Sequence, residues 1–551
     1  MFMRKKLMAM LLCPAVLLTG CSLFEKEEGD GSGYRFNYTL TENPDSLDPQ
    51  IARNSAAFTV LRNMMQGLLE EQPDGTLTYG VCSHYSVTED GKRYTFTLRD
   101  DSYWYYDENK NDRIDDGESW LVTAEDFVFA FQRLFRNETK SPYREQFRCI
   151  KGGADVIDGG ASAESIGVYA QSSNTLIFEL DEPCAEFLTL LCMPAAMPCS
   201  RVFFEQTGGR YGLDEDSVIS NSGFYLRRWF YDPYGSDNLI YMRENSANNT
   251  VQKVYPSNVT FLIRSSQEDA ESEFAAGNSD ILATSHIEDK YTEANGYTID
   301  SWWSITLGFV LNDEWEAFTN IDIRKAFSAA VPRSQFSDSG KSDAVGAYGI
   351  VPPETRLGAA SYESYASGNI IADSTAEEAM ELFQKGMHEL GLTSLPAADV
   401  LVCDGAVSDD DLYEILQTWQ SLFGFYAGIE KVSAGEFRQR LLNKDYTIAL
   451  CGITGDRNSA AAVLQNFVTD NNDFGYSDEA FDQLLRAADD ARDLQELSGL
   501  CRQAEQAVID KYIFLPVLYK NQYLIYSSGN RDISYDPYSG VIDFRRAKYY
   551  S

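Results

Sequence analysis

Asp90-Gly91-Lys92-Arg93-Tyr94-Thr95-Phe96-Thr97-Leu98-Arg99 reads as a turn that runs into a strand. Tyr94, Phe96 and Leu98 alternate with threonine, so one face of the segment is apolar and the other polar, the period expected of a half-buried strand. Leu176-Ile177-Phe178-Glu179-Leu180 has the same character. Between these two runs the period changes. Thr123-Ala124-Glu125-Asp126 has the form of a capped helix start, and Phe127, Ala130, Phe131 and Leu134 follow at helical spacing. Toward the C-terminus, Phe481, Leu484, Leu485 and Ala488, then Leu497, Leu500, Cys501, Ala504 and Val508, predict two consecutive amphipathic helices ahead of a strand from Tyr512 to Leu518. Strands and helices are mixed along the whole chain, which predicts an α/β fold.

The chain has 551 residues, 44% of them hydrophobic and 24% charged, so it is long enough for several domain-sized units and apolar enough to bury them. Its formal net charge of -38 repels phosphate backbones and anionic lipid head groups. Nucleic-acid binding and polybasic attachment to a membrane are therefore not expected.

The N-terminus carries Arg4-Lys5-Lys6, an apolar stretch from Leu7 to Leu18, and then Thr19-Gly20-Cys21. That is the layout of a secretion signal, too short in its apolar part to span a bilayer. The segment before the cysteine resembles a bacterial lipobox. It implies a signal peptide over residues 1–20 and a lipidated Cys21 as the first mature residue, with a flexible tether over 21–33. No later run of apolar residues is long enough to cross a membrane, so the body is expected on the extracytoplasmic face, lipid-anchored. Cys82, Cys149, Cys184, Cys192, Cys199, Cys403, Cys451 and Cys501 have neither zinc-site spacing nor that of a small disulfide scaffold, and their connectivity is open.

Several blocks occur in order: Thr41-Glu42-Asn43-Pro44-Asp45-Ser46-Leu47-Asp48-Pro49, Gln66-Gly67-Leu68-Leu69, the turn and strand from Asp90, Val122-Thr123-Ala124-Glu125-Asp126-Phe127-Val128, Asn221-Ser222-Gly223-Phe224-Tyr225-Leu226, and Ile323-Arg324-Lys325-Ala326-Phe327-Ser328-Ala329-Ala330. From about residue 36 to the C-terminus the chain resembles the oligopeptide- and dipeptide-binding proteins of ABC importers, extracellular solute-binding protein family 5. The resemblance implies a periplasmic-binding-protein-like fold with two hinged lobes and an inserted N-terminal subdomain. Lobe I would combine 34–80 with 180–300 and 510–551, the insertion would cover 81–179, and lobe II 301–509. It further implies a monomeric receptor, not an enzyme, that needs no cofactor. The receptor would capture an oligopeptide between its lobes and deliver it to the permease and ATPase subunits of the importer.

A peptide brings a cationic amine, a row of backbone donors and acceptors, and varied side chains, which call for a carboxylate, strand-like edges and roomy pockets. By the resemblance, Asp456 falls where the family keeps its amine-binding carboxylate. The neighbouring tryptophan and tyrosine of the family are replaced by Ile453 and Arg457, and an aspartate in a turn also serves as a local cap. Gly452, Ile453 and Thr454 on one lobe, with Arg53, Asn54 and Ser55 on the other, match the two backbone edges. Tyr143 corresponds to a tyrosine near the ligand's N-terminus, and Trp302, Trp303 and Tyr519 are aromatic residues for the cleft and hinge. For a ligand carboxylate, Arg438, Arg440 and Arg457 are available cations. Relatives that bind oligosaccharides keep a sugar receptor as the alternative, since adjacent Trp302 and Trp303 would stack on sugars. A hydrolase would need a nucleophile and base, yet His84, His286 and His388 lie in unrelated contexts. A surface chaperone would need a broad exposed patch.

One loop stands apart. Asp107-Glu108-Asn109-Lys110-Asn111-Asp112-Arg113-Ile114-Asp115-Asp116-Gly117-Glu118 puts oxygen ligands at Asp107, Asn109, Asn111, Asp115 and Glu118, the spacing of a calcium loop. Asp112 stands where such loops favour glycine. The competing reading is a solvated acidic turn.

Overall fold

A computed structural model of the chain describes residues 31–248, 253–338, 344–358, 360–403, 409–469 and 471–550. The expected signal peptide over residues 1–20 and Cys21 lie outside the described residues. One sheet of eleven strands runs through the molecule. At one end lie Phe224–Phe230, Leu239–Glu244, Asn258–Ile263, Arg35–Leu40 and Ile281–Thr284; at the other lie Ile448–Ile453, Ala398–Cys403 and Ala427–Val432. Phe514–Ser527 and Tyr297–Leu311 lie between them, and Ala344–Gly346 adds to the former.

These two central strands, of 14 and 15 residues, belong to both lobes. Tyr297 to Trp303 pairs with Asn521 to Ser527 on the lobe I side, while Thr306 to Leu311 also pairs with Ile448–Ile453 on the lobe II side. The register slips between Trp303 and Ile305 and again between Leu307 and Gly308. Each slip locally breaks the ladder and bends the strand, which makes this crossing the hinge. Gly308 is required there, because a Cβ would lie 2.3 Å from the Phe514 ring.

Successive residues of a strand point to opposite faces. Phe309 enters one buried cluster with Phe327 and Trp419, and Val310 enters another with Phe467, Phe481 and Phe514. Lobe II is therefore a sheet covered on both faces, which is why Val400-Leu401-Val402 and Ile448-Ala449-Leu450 are continuously apolar instead of alternating. The inserted subdomain has a four-stranded sheet in the order Cys82–Val87, Arg93–Leu98, Thr175–Glu179, Val168–Ser172. Its Phe96, Phe131 and Phe178 belong to the same buried cluster as Phe36, Phe261 and Phe544 of lobe I, so insertion and lobe I form one side of the molecule.

The local predictions fare well where the signal is local. The strand from Tyr94 spans Arg93–Leu98, with Tyr94, Phe96 and Leu98 buried. The helix after Thr123 spans Ala124–Phe135, and Thr123 and Asp126 form a capping box. The two C-terminal helices are Glu479–Asp489 and Leu494–Lys511. The strand expected from Tyr512 begins instead at Phe514, because Tyr512 takes a left-handed conformation, φ 51°, and ends the preceding helix. Among the described residues no helix is long and apolar enough to cross a membrane.

Candidate ligand cleft

A cavity of about 850 Å³ lies between the lobes. Arg53, Glu71, Tyr143 and Asp536 line it from the lobe I side, and Arg356 and Asp456 from lobe II. A larger hollow of about 1270 Å³ shares Arg62 and Glu71 with it, but its lining comes from lobe I and the insertion alone. Only contacts from both lobes can couple ligand capture to hinge closure, so the smaller cavity is the candidate ligand cleft.

Asp456 follows the strand Ile448–Ile453 by three residues. Its carboxylate accepts a hydrogen bond from the Gln146 side chain of the insertion at 2.9 Å and pairs with Arg457 at 3.1 Å. Arg457 also lines the cavity and pairs with Glu186 of the lobe I side at 3.1 Å, both side chains about nine-tenths buried. Glu186 also accepts from Ser459 Oγ, and the Ala185 N–H donates to Ala491 O at 2.8 Å. The cleft rims thus meet through charged and backbone contacts, with Asp456 at their inner edge.

Arg356 was missed by sequence reasoning. Its backbone N–H donates to Asn458 Oδ1 at 2.8 Å, which ties it to the loop that carries Asp456. Among the described residues its half-buried guanidinium makes no ion pair; its field acts on Glu71 across the cleft. Glu71 is pushed up to about 7, by burial first and then by Asp536, against the pull of Arg356 and Arg62. Asp536 is also raised, again by burial, although Ser539 and the Tyr538 amide bond to it. Glu71, Asp456 and Asp536 give one part of the cleft acidic character, and Arg356 adds a cation. The Pro352-Pro353 pair before Arg356 marks a loop, but nothing in the sequence says that this loop reaches the cleft. No signal singles out Glu71.

The remaining predicted residues divide. Tyr143 lines the cleft, donates to Ala52 O, and feels the charges of Asp456, Asp45 and Arg53. Trp302 lines it too, with its ring 5.5 Å from that of Tyr535. Trp303, next on the strand, does not line it; its N–H donates to Glu354 at 2.9 Å. Tyr519 lies instead inside lobe II beside Glu505 and Gly349. Gly452 and Ile453 pair with Leu307 and Thr306, the ladder to Ala398–Cys403 runs among the described residues as far as Leu450, and Gly452, Ile453 and Thr454 do not line the cavity. The Thr454 hydroxyl donates to Ser304 O at 2.9 Å. Asn54 caps the helix Ser55–Met64, accepting from the Ala57 N–H, and Ser55 Oγ donates to Glu42. The Arg53 N–H is taken by the Asp45 carboxylate at 3.0 Å, so that edge is closed locally. Arg438 and Arg440 are engaged elsewhere, by Asp473 and Glu430.

The loop from Asp107 to Glu118 joins the short strands Tyr103–Tyr105 and Ser119–Leu121. Asp107 accepts from the Asn111 and Asp112 amides, Asp115 from the Asn109 and Asn111 side chains, and Glu118 from the Glu108 amide. Lys110 and Asp112 have positive φ, 55° and 67°. Arg227 pairs with Asp107 and Asp112, and Arg243 with Asp112. Among the described residues no group of three or more His, Cys, Asp or Glu is disposed as a metal cage.

The chain is thus a two-lobed α/β protein with a hinge and a polar cleft that both lobes line. The family model of bacterial extracellular solute-binding proteins, family 5, matches residues 76–475, and the chain belongs to that family. It is 24% identical over 570 aligned residues to the oligopeptide-binding protein OppA of Bacillus subtilis, covering 99% of each chain. It is 25% identical to the dipeptide-binding protein of Lactococcus lactis, covering 87% of this chain and 86% of the relative. Among solved structures, a periplasmic oligopeptide-binding protein of Borrelia burgdorferi superposes with a TM-score of 0.73 at 20% identity, over 94% of this chain and all of that one.

Proposed function

We propose that this protein is the peptide receptor of an ABC importer. The observation that carries the reading is the placement of Asp456 and Arg356 on one wall of a cleft that both lobes line. An acid for the α-amine and a base for the carboxylate, held by one loop contact, suit a zwitterionic peptide better than a neutral sugar. Relatives named for oligopeptides and dipeptides support the ligand class.

The proposal includes delivery to permease and ATPase subunits by a monomer, and tethering through a lipidated Cys21. Cys21→Ala is expected to release the protein from cells, and retention of the variant after a salt wash would overturn the anchor. A lobe boundary near 300 is supported by the buried clusters, since Ile281 packs with lobe I and Leu307 with lobe II, whereas Phe514, Leu515 and Val517 still pack with lobe II, so the chain returns to lobe I after about residue 518 and not at 510. Calcium at Asp107–Glu118 is a second proposal, favoured by the positive φ of Lys110 and Asp112. Native mass spectrometry of ligand carried through purification tests the central reading. Bound peptides are expected, and bound sugars alone would overturn it.

A further inference from the structure

Two buried thiols meet beneath the cleft rim. Ile150 and Leu180 form an antiparallel bridge, the Asp181 N–H donates to Cys149 O at 3.0 Å, and the Lys151 N–H donates to Glu179 O at 2.9 Å. These contacts bring together the segments that carry Cys149 and Cys184. The two thiols lie within interaction range of each other and of Tyr94, and they are only 7% and 6% exposed.

We propose that Cys149 and Cys184 form a structural disulfide when the exported chain folds. The pair is a dithiol, and its oxidant is a disulfide of the extracytoplasmic space, whether on a thiol oxidoreductase or a small-molecule thiol. One cysteine thiolate attacks the oxidant disulfide and forms a mixed disulfide, with loss of one thiol. The second then displaces the other thiol, so two protons leave the cysteines, two electrons pass to the oxidant and two thiols are released. Contact with Cys184, together with burial, keeps the Cys149 thiol protonated in the finished fold. Because the thiolate is the nucleophile, the bond forms while the subdomain is still assembling.

The location gives the bond a consequence for the receptor. Gln146, three residues before Cys149, holds Asp456 across the cleft; Glu186, two residues after Cys184, holds Arg457 and Ser459. Between them Ala185 bonds to Ala491. A Cys149–Cys184 bond joins a segment of the insertion to one of lobe I, both of which touch lobe II, so they move as one piece when the cleft opens.

The test uses the full mature chain, unfolded and reduced, then refolded either in a mixture of reduced and oxidised glutathione or in excess reductant. After alkylation and digestion, the oxidised sample is expected to yield a peptide that links Cys149 to Cys184, with the other cysteines alkylated. Its melting temperature is expected to exceed that of the reduced sample by several degrees. Cys149→Ala and Cys184→Ala should each abolish the redox dependence of melting, whatever their effect on its absolute value. Full alkylation of both cysteines in the oxidised sample would overturn the proposal, as would glutathione adducts or a link to a different cysteine.

Discussion

Gln146 and Asp456 meet across the cleft, the amide of the insertion donating to the lobe II carboxylate at 2.9 Å. A peptide ammonium that takes Gln146's place would supply a stronger, charge-assisted bond to the same oxygen. Asp456→Asn is therefore expected to weaken peptides with a free amine by roughly ten- to a hundred-fold, the equivalent of about 1.5–3 kcal/mol for a bond to a charged group. N-acetylated peptides should bind both forms alike. Isothermal titration of matched free and acetylated peptides checks this, and equal affinities of the parent for the two would remove Asp456 from the role of amine anchor.

The Arg356 guanidinium faces Glu71 from the opposite wall without reaching an ion pair. Arg356→Gln keeps much of the side-chain length and removes the charge. It is expected to lower affinity for peptides with a free carboxylate by about tenfold or more while leaving C-terminally amidated peptides nearly unchanged. Titration of the two peptide forms separates this from a general loss of packing, which would lower both.

Glu71 introduces a pH dependence whose sign follows from its raised value. Below its ordinary value of 4.5 the carboxyl carries a proton in both folded and unfolded chains. Between 4.5 and about 7 only the folded chain keeps that proton, so stability falls as pH rises through this window, and above it the buried charge is a constant cost. The full effect is about 3 kcal/mol at most, and less where solvent reaches the group. Glu71→Gln is expected to stabilise the apo protein at pH 8 and to make no difference near pH 4. Urea unfolding at the two pH values measures it, and a gain that persists unchanged at pH 4 would contradict the assignment.

Arg227 now supplies positive charge to Asp107 at 3.2 Å. Calcium would add a second, stronger counter-charge to a loop that carries Asp107, Asp115 and Glu118. Millimolar calcium is expected to raise the melting temperature, as any ligand selective for the native state does, and Glu118→Gln should remove the rise. An unchanged melting curve for the parent would leave Arg227 and Arg243 as the loop's counter-cations.

What the sequence determined by itself is what repeats over a few residues. Alternation marked Tyr94, Phe96 and Leu98 as one buried face, and the Thr123 and Asp126 capping box started its helix where the residues said it should. Ordered blocks over the whole chain carried the family, and the resemblance they establish led to Asp456, which lines the cleft. Only the tertiary structure decided which of Trp302 and Trp303 turns into the cleft, because adjacent strand residues face opposite ways and the bulge beside them resets the register. It also removed Tyr519 to the interior of lobe II and brought Arg356 to the loop of Asp456 through a single bond to Asn458. Periodicity reports which side of an element is buried, and that depends on near neighbours. A cleft is defined by what two lobes leave uncovered when they meet, and that is set by contacts between residues far apart in the chain.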